Sequence, residues 1–320
     1  MNSTKELPDS PTSWFYIAKS ADITTRPKIF KVGELELVAF RNNLNELLAF
    51  QRRCPHMNAD LSLGCITSGR LQCSLHQWEF NSSGKCDHIP NQKNTDIPDR
   101  VRLKAYPIVE RGSLIFVFNN ESKLFELPFF PELEESQYSA SAVKVINTEN
   151  EWFVGAANAF DLAHFETVHF RNLLETPKII EDSNYSYRIQ LDYEIKGKRF
   201  SDRLMKFFFG AKASLDFTVF AGNFILAKTN VKEFKNYMMI VSAPNGKNKS
   251  VAHLVIYSKK TLNPLKILKQ MLQAELSRKF FQDEADTSRG VFIDIKTLGA
   301  SDQVLGGYLR WLMNLYDKSL

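Results

Sequence analysis

Four residues constrain this chain more than any others: Cys54-x-His56, a gap of sixteen residues, then Cys73-x-x-His76. Two short loops that each supply one thiol and one imidazole read as the ligands of a [2Fe–2S] cluster, with two thiolates on one iron and two neutral imidazoles on the other. Imidazoles in place of thiolates remove negative charge and raise the reduction potential, so the set points to electron transfer. Zinc also takes two Cys and two His. Zinc fingers, however, pair Cys with Cys and His with His, whereas here each loop carries one of each. Pro55 stiffens the tip of the first loop by fixing φ. Gly64 and Gly69 are expected to permit tight turns between the two halves.

The surrounding segment, residues 51–80, reads QRRCPHMNADLSLGCITSGRLQCSLHQWEF. It resembles the cluster-binding segment of Rieske oxygenases: a CPH loop, an LSLG stretch, a C-x-x-H-x-W loop and then an apolar residue. Gly84 and Cys86 continue the resemblance. Three positions depart from that pattern. Met57 stands where many relatives carry Arg, Ser74 replaces a frequent Pro, and Gln77 replaces a frequent Gly before Trp78. None is a metal ligand, so the departures bear on potential and partner docking rather than on cluster assembly. Trp78 is expected to pack under the cluster. Cys65 and Cys86 are expected as small buried or half-buried residues.

A length of 320 residues implies two domains, each able to bury a core. Lys and Arg are scattered, and a net charge of +5 over the chain carries no nucleic-acid signature. Four Cys in a chain this long do not make a disulfide scaffold, and a thiolate-ligated cluster suits a reducing cytoplasm. The polar start, MNSTKELPDSPTSW, lacks the apolar core of a secretion signal, and no apolar stretch is long enough for a transmembrane helix.

Residues 14–50 alternate short apolar runs with turn residues, a strand-and-hairpin pattern that continues through the cluster loops to residues 113–118. Residues 119–137 are acidic with two Pro and read as a linker, giving domains at 1–125 and 126–320. The second domain begins with a helical segment over 151–169. Strands follow near 184–196, 213–220, 223–230, 237–242 and 250–258, with Lys235-Asn236 and Asn245-Gly246 as turns. A long helix over 264–286 and a last helix near 302–316 close the chain. The fold class is α+β: an antiparallel β domain, then an antiparallel sheet wrapped by helices in a helix-grip-like arrangement.

The second domain carries N-x-x-D-x-x-H-x-x-x-x-H at Asn158, Asp161, His164 and His169. Two His five apart do not share one helical face, so a turn after His164 is needed for both imidazoles to converge. With a carboxylate from elsewhere they would form a facial triad that leaves open positions on Fe(II). The long helix offers Asp283, Glu284 and Asp286. Asp283 extends the face of Leu272, Leu276 and Phe280, read as inward, while Glu284 lies about a hundred degrees away. Asp283 is therefore the expected ligand and Asp286 the fallback.

This run resembles the mononuclear iron motif of Rieske non-haem iron oxygenases, and with both motifs in order the resemblance covers essentially the whole chain. It implies an oxygenase component of the short homotrimeric monooxygenase or demethylase type. Such a protein would hold a Rieske [2Fe–2S] cluster and mononuclear Fe(II), fed by a ferredoxin or reductase that draws on NAD(P)H. The substrate would be a small apolar, ring-bearing molecule, for which the Phe-rich stretches Phe207-Phe208-Phe209 and Phe217 to Phe220 are candidates. Asp161 would hydrogen-bond the ring of His164 and reach a cluster His of a neighbouring subunit, with Asn158 as a further catalytic residue. The competing reading is a Rieske electron carrier without oxygenase activity. Arg52, Arg53, Arg70 and Lys85, close in sequence to the cluster ligands, are candidates for docking an acidic electron donor.

Overall fold

The protein is described from a computed structural model that covers residues 7–197, 203, 206, 210–231 and 234–317. It divides into two compact units, Thr12–Leu127 and Pro128–Leu320 with the segment up to Pro11. Pro8 joins the second unit because its carbonyl accepts the Trp152 indole N–H at 3.0 Å.

The first unit is built from three small antiparallel sheets. Trp14–Lys19 pairs with Leu114–Phe118, which pairs with Ile108–Arg111. Lys28–Val32, Leu35–Arg41 and Leu47–Gln51 form a meander. Cys65–Thr67, Arg70–Gln72, Glu79–Phe80 and Cys86–His88 form the third sheet, which carries the loop of Cys73. Phe40, Phe50, Leu61, Leu71 and Phe80 are buried together beside Cys54 and Cys73. Fully burying such side chains is worth roughly 1.5–3 kcal/mol each, which anchors the loop bases.

The two glycines act differently from one another. Gly69 has φ +81° in the hairpin between Thr67 and Arg70, the left-handed conformation that favours glycine. Gly64 has an ordinary φ and matters by close approach, since a Cβ there would lie 2.3 Å from the Gln72 carbonyl oxygen. The expected turn role fits Gly69 and not Gly64.

The second unit has one large antiparallel sheet. Its order is Tyr138–Thr148, Ser250–Lys259, Phe234–Pro244, Phe224–Val231, Lys212–Phe220, Ser186–Ile195 and Arg171–Leu173, with Lys178–Ser183 also on Ser186–Ile195. Lys235 and Asn236, expected as a turn, are strand residues paired with Asn230 and Thr229, while Asn245 and Gly246 do form a turn. The stretch over 119–137 has no strand or helix, yet it is not simply solvated: Phe130 is buried against Tyr237, ring centroids 5.1 Å apart. Helix Gln303–Leu315 buries Leu305, Tyr308, Leu309 and Leu312, and Tyr308 stacks on Phe160 at 4.4 Å. Helix Pro264–Thr287 starts with Asn263 as cap, whose side chain accepts from the Leu265 and Lys266 N–H groups. No helix among the described residues is long and apolar enough to cross a membrane.

Candidate cluster loops and metal centre

The two cluster loops have the same backbone. In the first, the Cys54 N–H donates to the Ala59 carbonyl and the Asn58 N–H to the Cys54 carbonyl, both at 2.9 Å. In the second, the Cys73 N–H donates to Trp78 at 2.9 Å and the Gln77 N–H to Cys73 at 3.0 Å. Each loop turns through a left-handed residue four positions after its Cys: Asn58 at φ +56° and Gln77 at φ +57°. Asn tolerates that region; Gln does not, and a glycine at position 77 would carry no Cβ penalty. The loops thus bury both Cys at the base and expose both His at the tip. The imidazoles of His56 and His76 come together with centroids 4.7 Å apart. Burial pushes the Cys54 thiol up to about 11, which an iron ligand reverses by binding the thiolate. The donor set of two thiols inside and two imidazoles outside fits a [2Fe–2S] cluster.

Trp78 stacks flat on His56, 4.2 Å between centroids and 9° between planes, so it packs on an imidazole at the loop tip. Cys86 is buried as expected, but Cys65 is exposed, its Sγ 3.6 Å from Gln72 Oε1. Of the four basic residues near the cluster, Arg52 bridges Asp60 and Glu36, Arg70 pairs with Asp87 and Lys85 pairs with Asp99. The Arg52 bond and the Ser62 hydroxyl and amide hold the Asp60 carboxyl well below the usual range. Those pairs neutralise most of the charge expected to dock a donor.

In the second unit, Val154–Ala157 and a single tight turn at Asn158–Phe160 end at Asp161, where ψ reaches 91°. A new short helix, Leu162–Thr167, starts there with Asp161 as its cap. The expected single helix over 151–169 is therefore broken at Asp161. The break arises because the Asp161 carboxylate accepts the His164 backbone N–H at 2.9 Å and so competes with helix continuation. This is a backbone bond, not the ring bond expected of Asp161. The helix ends at Thr167, and Phe170 at φ +53° turns the chain. Ending between the two His swings His169 back toward His164, and their rings meet with centroids 4.9 Å apart.

The carboxylate facing this pair is Glu284, not Asp283. Glu284 Oε1 lies 2.7 Å from His164 Nε2 and Oε2 lies 3.3 Å from His169 Nε2. Asp283 and Asp286 are exposed; Asp286 instead accepts from the Gln282 amide at 3.2 Å. The reason is which face of the helix is inward. Leu272, Leu276 and Phe280 are exposed, whereas Ala274 is fully buried and Ser277, Phe281 and Ala285 turn toward the sheet. Asp283 does share the leucine face, but that face points away from the core. The signal that locates Glu284 is the stripe of small residues, Ala274, Ser277, Ala285 and Ser288, at helical spacing.

Asn158 completes the site. Its amide donates to Glu284 Oε1 at 3.0 Å, fixing the carboxylate. Burial pushes the Glu284 carboxyl up, but the two imidazoles outweigh it and hold it at about 2. The contact with Glu284 in turn raises His164 above its ordinary value, against burial. His164 Nε2 is buried and makes no hydrogen bond of ordinary geometry despite that short distance. A buried, orphaned imidazole nitrogen beside a carboxylate is the mark of a metal ligand. The spacings of 2.7 and 3.3 Å bracket the edge of about 3 Å that bonds of about 2.1 Å make at right angles. Two nitrogens and one carboxylate, with Phe280 packed on His169 at 5.1 Å, suit Fe(II) with positions left open. Of the expected aromatic residues, Phe217 is buried in the core, and Phe207, Phe208 and Phe209 lie outside the described residues.

Residues 13–107 match the Rieske [2Fe–2S] domain family. The 3-chlorobenzoate-3,4-dioxygenase oxygenase subunit of Comamonas testosteroni is 28% identical over 184 residues, 56% of this chain and 42% of that one. The oxygenase component of dicamba O-demethylase from Stenotrophomonas maltophilia is 26% identical over 215 residues, 64% of this chain and 61% of that one. The matched stretches thus span less than two thirds of these relatives. The crystal structure of dicamba monooxygenase bound to dicamba superposes with a TM-score of 0.64 at 17% identity, covering 97% of this chain and 98% of that one. Residues 13–107 thus form a Rieske [2Fe–2S] domain, within a chain whose fold is that of the dicamba monooxygenase structure.

Proposed function

We propose that this chain is a terminal oxygenase. It takes electrons from a ferredoxin or reductase supplied by NAD(P)H through a cluster held by Cys54, His56, Cys73 and His76. It uses them to activate O2 at Fe(II) held by His164, His169 and Glu284, and hydroxylates or oxidatively demethylates a small apolar, ring-bearing molecule. The observation that carries this reading is the convergence of those last three side chains around an orphaned imidazole nitrogen. Iron there supplies one-electron chemistry with O2 at its open positions. The residues around it do the positioning. Glu284 brings the single negative charge, Asn158 fixes its orientation, and Asp161 sets the start of the helix that aims His164. Phe280 packs its ring against His169.

Monooxygenation is favoured over dihydroxylation by the O-demethylase among the relatives. A homotrimer, in which Asp161 reaches a neighbour's cluster His, belongs to the same proposal. A pure electron carrier would need only the first unit and would leave the His–His–Glu constellation idle. Two measurements test the reading. Iron content should show a third iron beyond the cluster pair. O2 consumption with a chemical or protein donor should be stimulated by some member of a panel of aromatic, steroid-like and N- or O-methylated compounds. A preparation with cluster iron alone and no substrate-stimulated uptake overturns the proposal.

A further inference from the structure

The helix Pro264–Thr287 presents more than Glu284 to the sheet. At about a hundred degrees per residue, Gln273 and Ser277 fall about twenty degrees to either side of Glu284, on the face that carries the carboxylate. Gln273 precedes Glu284 by eleven residues, a rise of about 16 Å along the axis. Across from it, Leu215, Thr229 and Asn236 pair in one row over three strands, so they share a sheet face. That face is the inner one, because Leu215 packs on the core. Gln273 Nε2 donates to Asn236 Oδ1 at 3.0 Å and ties the helix to the sheet.

Between this pair and Glu284 the walls are not sealed. Leu215 and Met238 on the sheet and Phe281 on the helix pack on the core yet stay half-buried. Phe280, whose ring lies against His169, is 46% exposed. A helix seated close on a sheet would bury these side chains. Their half-burial marks a cleft with apolar walls, a carboxylate at one end and two amides at the other.

The amide end decides what fits. The bond between the two side chains uses one Gln273 N–H and the Asn236 oxygen. It leaves the Asn236 N–H groups and the Gln273 oxygen for a ligand, donor beside acceptor. Both side chains are half-buried and neither is charged. The cations beside them are turned elsewhere. Strand alternation puts Lys235 and Lys259 on the opposite sheet face, Lys260 donates to the Glu135 carbonyl, and Arg278 pairs with Glu275.

We infer that this cleft is the substrate site, and that Gln273 and Asn236 select a neutral molecule of two or three rings whose far edge carries an N–H beside a C=O, as a lactam does. The inference rests on the oxygenase reading, which sets the atom to be oxidised at the Glu284 end. Side chains reaching in from both ends shorten the span, but to more than a single ring covers.

The test is equilibrium binding to the full chain by calorimetry, with iron-loaded and with iron-stripped protein. The probes are 2-quinolone, its N-methyl derivative, which lacks the donor, and 2-naphthoate, which puts a charge in place of the lactam. 2-Quinolone should bind at least about tenfold tighter than either, because a buried amide left unpaired rejects the analogue. Gln273→Met, which keeps the volume, should bring 2-quinolone down to the level of the N-methyl form and leave that form and the iron content unchanged. Asn236→Ala should weaken both. The parental comparison of the first two probes needs no variant. The inference is overturned if 2-quinolone does not bind, if its N-methyl form binds equally well, if 2-naphthoate binds most tightly, or if the lactam preference survives in Gln273→Met. Those results leave a third iron and substrate-stimulated O2 uptake standing, whereas a chain with cluster iron alone overturns the oxygenase reading and this inference with it.

Discussion

Replacing Glu284 with Ala and, separately, Asp283 with Ala separates two adjacent carboxylates that the sequence and the structure rank in opposite order. Glu284→Ala removes the carboxylate that groups with the His164 and His169 imidazoles. Mutating a residue that only orients a metal ligand already costs 10–100-fold in affinity, so losing the ligand should cost more than about 100-fold. The metal-free protein should suffer too. A carboxyl held at about 2 instead of 4.5 corresponds to about 3 kcal/mol. Solvent around the half-open carboxylate leaves about 2 kcal/mol of that. The loss also strands the Asn158 amide, a group whose unmet hydrogen bond costs about 1–3 kcal/mol. Asp283→Ala touches an exposed helix position whose side chain is not in the constellation, and Ala is the better helix former by up to about 0.7 kcal/mol. Iron per chain after desalting, the visible spectrum of the cluster and urea midpoints of metal-free protein read all of this. Expected are a Glu284 variant with cluster iron only and lowered stability, and an Asp283 variant indistinguishable from the parent. Retained iron in the first variant together with lost iron in the second would refute the assignment.

Asn158→Ala should lower mononuclear iron affinity by roughly 10–100-fold while leaving the cluster spectrum intact, read by iron titration of stripped protein. Gln77→Gly should raise the thermal midpoint, by about 1 kcal/mol of stability, because it relieves a left-handed glutamine; a lowered midpoint would mean the loop is held otherwise than by its backbone. In metal-free protein the Glu284 contribution is full above pH 4.5 and lost as pH falls toward about 2, and the His164 contribution is full below 6.5 and lost as pH rises through its raised value. Stability conferred by this pair therefore peaks between pH 4.5 and 6.5, and iron uptake rises above 6.5 as His164 gives up its proton, both absent in Glu284→Ala. Asp161→Asn keeps a competent helix cap, so both metals should stay bound while oxidation of the pre-reduced cluster with O2 and substrate slows. A parental rate in that variant would limit Asp161 to capping.

The strands of the second unit were legible because alternation of apolar and polar residues survives wherever one sheet face is buried, as in Ser186–Ile195 and Ser250–Lys259. Tyr138–Thr148 was not, since much of it is only half-buried and its residues, Tyr-Ser-Ala-Ser-Ala, carry little contrast. Turn reading failed at Lys235-Asn236 for a related reason. Two polar residues at a hairpin end look like a turn, but hydrogen bonding across the sheet extends the strand past them. The pairing of the two loops was legible because four side chains at this spacing suit one cluster, and the structure brings His56 and His76 together above buried Cys54 and Cys73. That both loops share one backbone was not, because His sits two residues after Cys54 and three after Cys73, which hides the common left-handed fourth position.

The long helix shows why the carboxylate was misplaced. Apolar periodicity assigns a face to the core only when apolar side chains have nowhere else to go. Here the leucine face is the outer one, and the inner face carries Ala274, Ser277, Phe281, Ala285 and Ser288, all but one of them small. Small residues let the helix lie close to the strand Tyr138–Thr148, and close approach is what brings a glutamate within 2.7 Å of His164 from a backbone that an aspartate one position earlier cannot aim. The stripe that looks least like a core is thus the one that positions Glu284 against the two imidazoles.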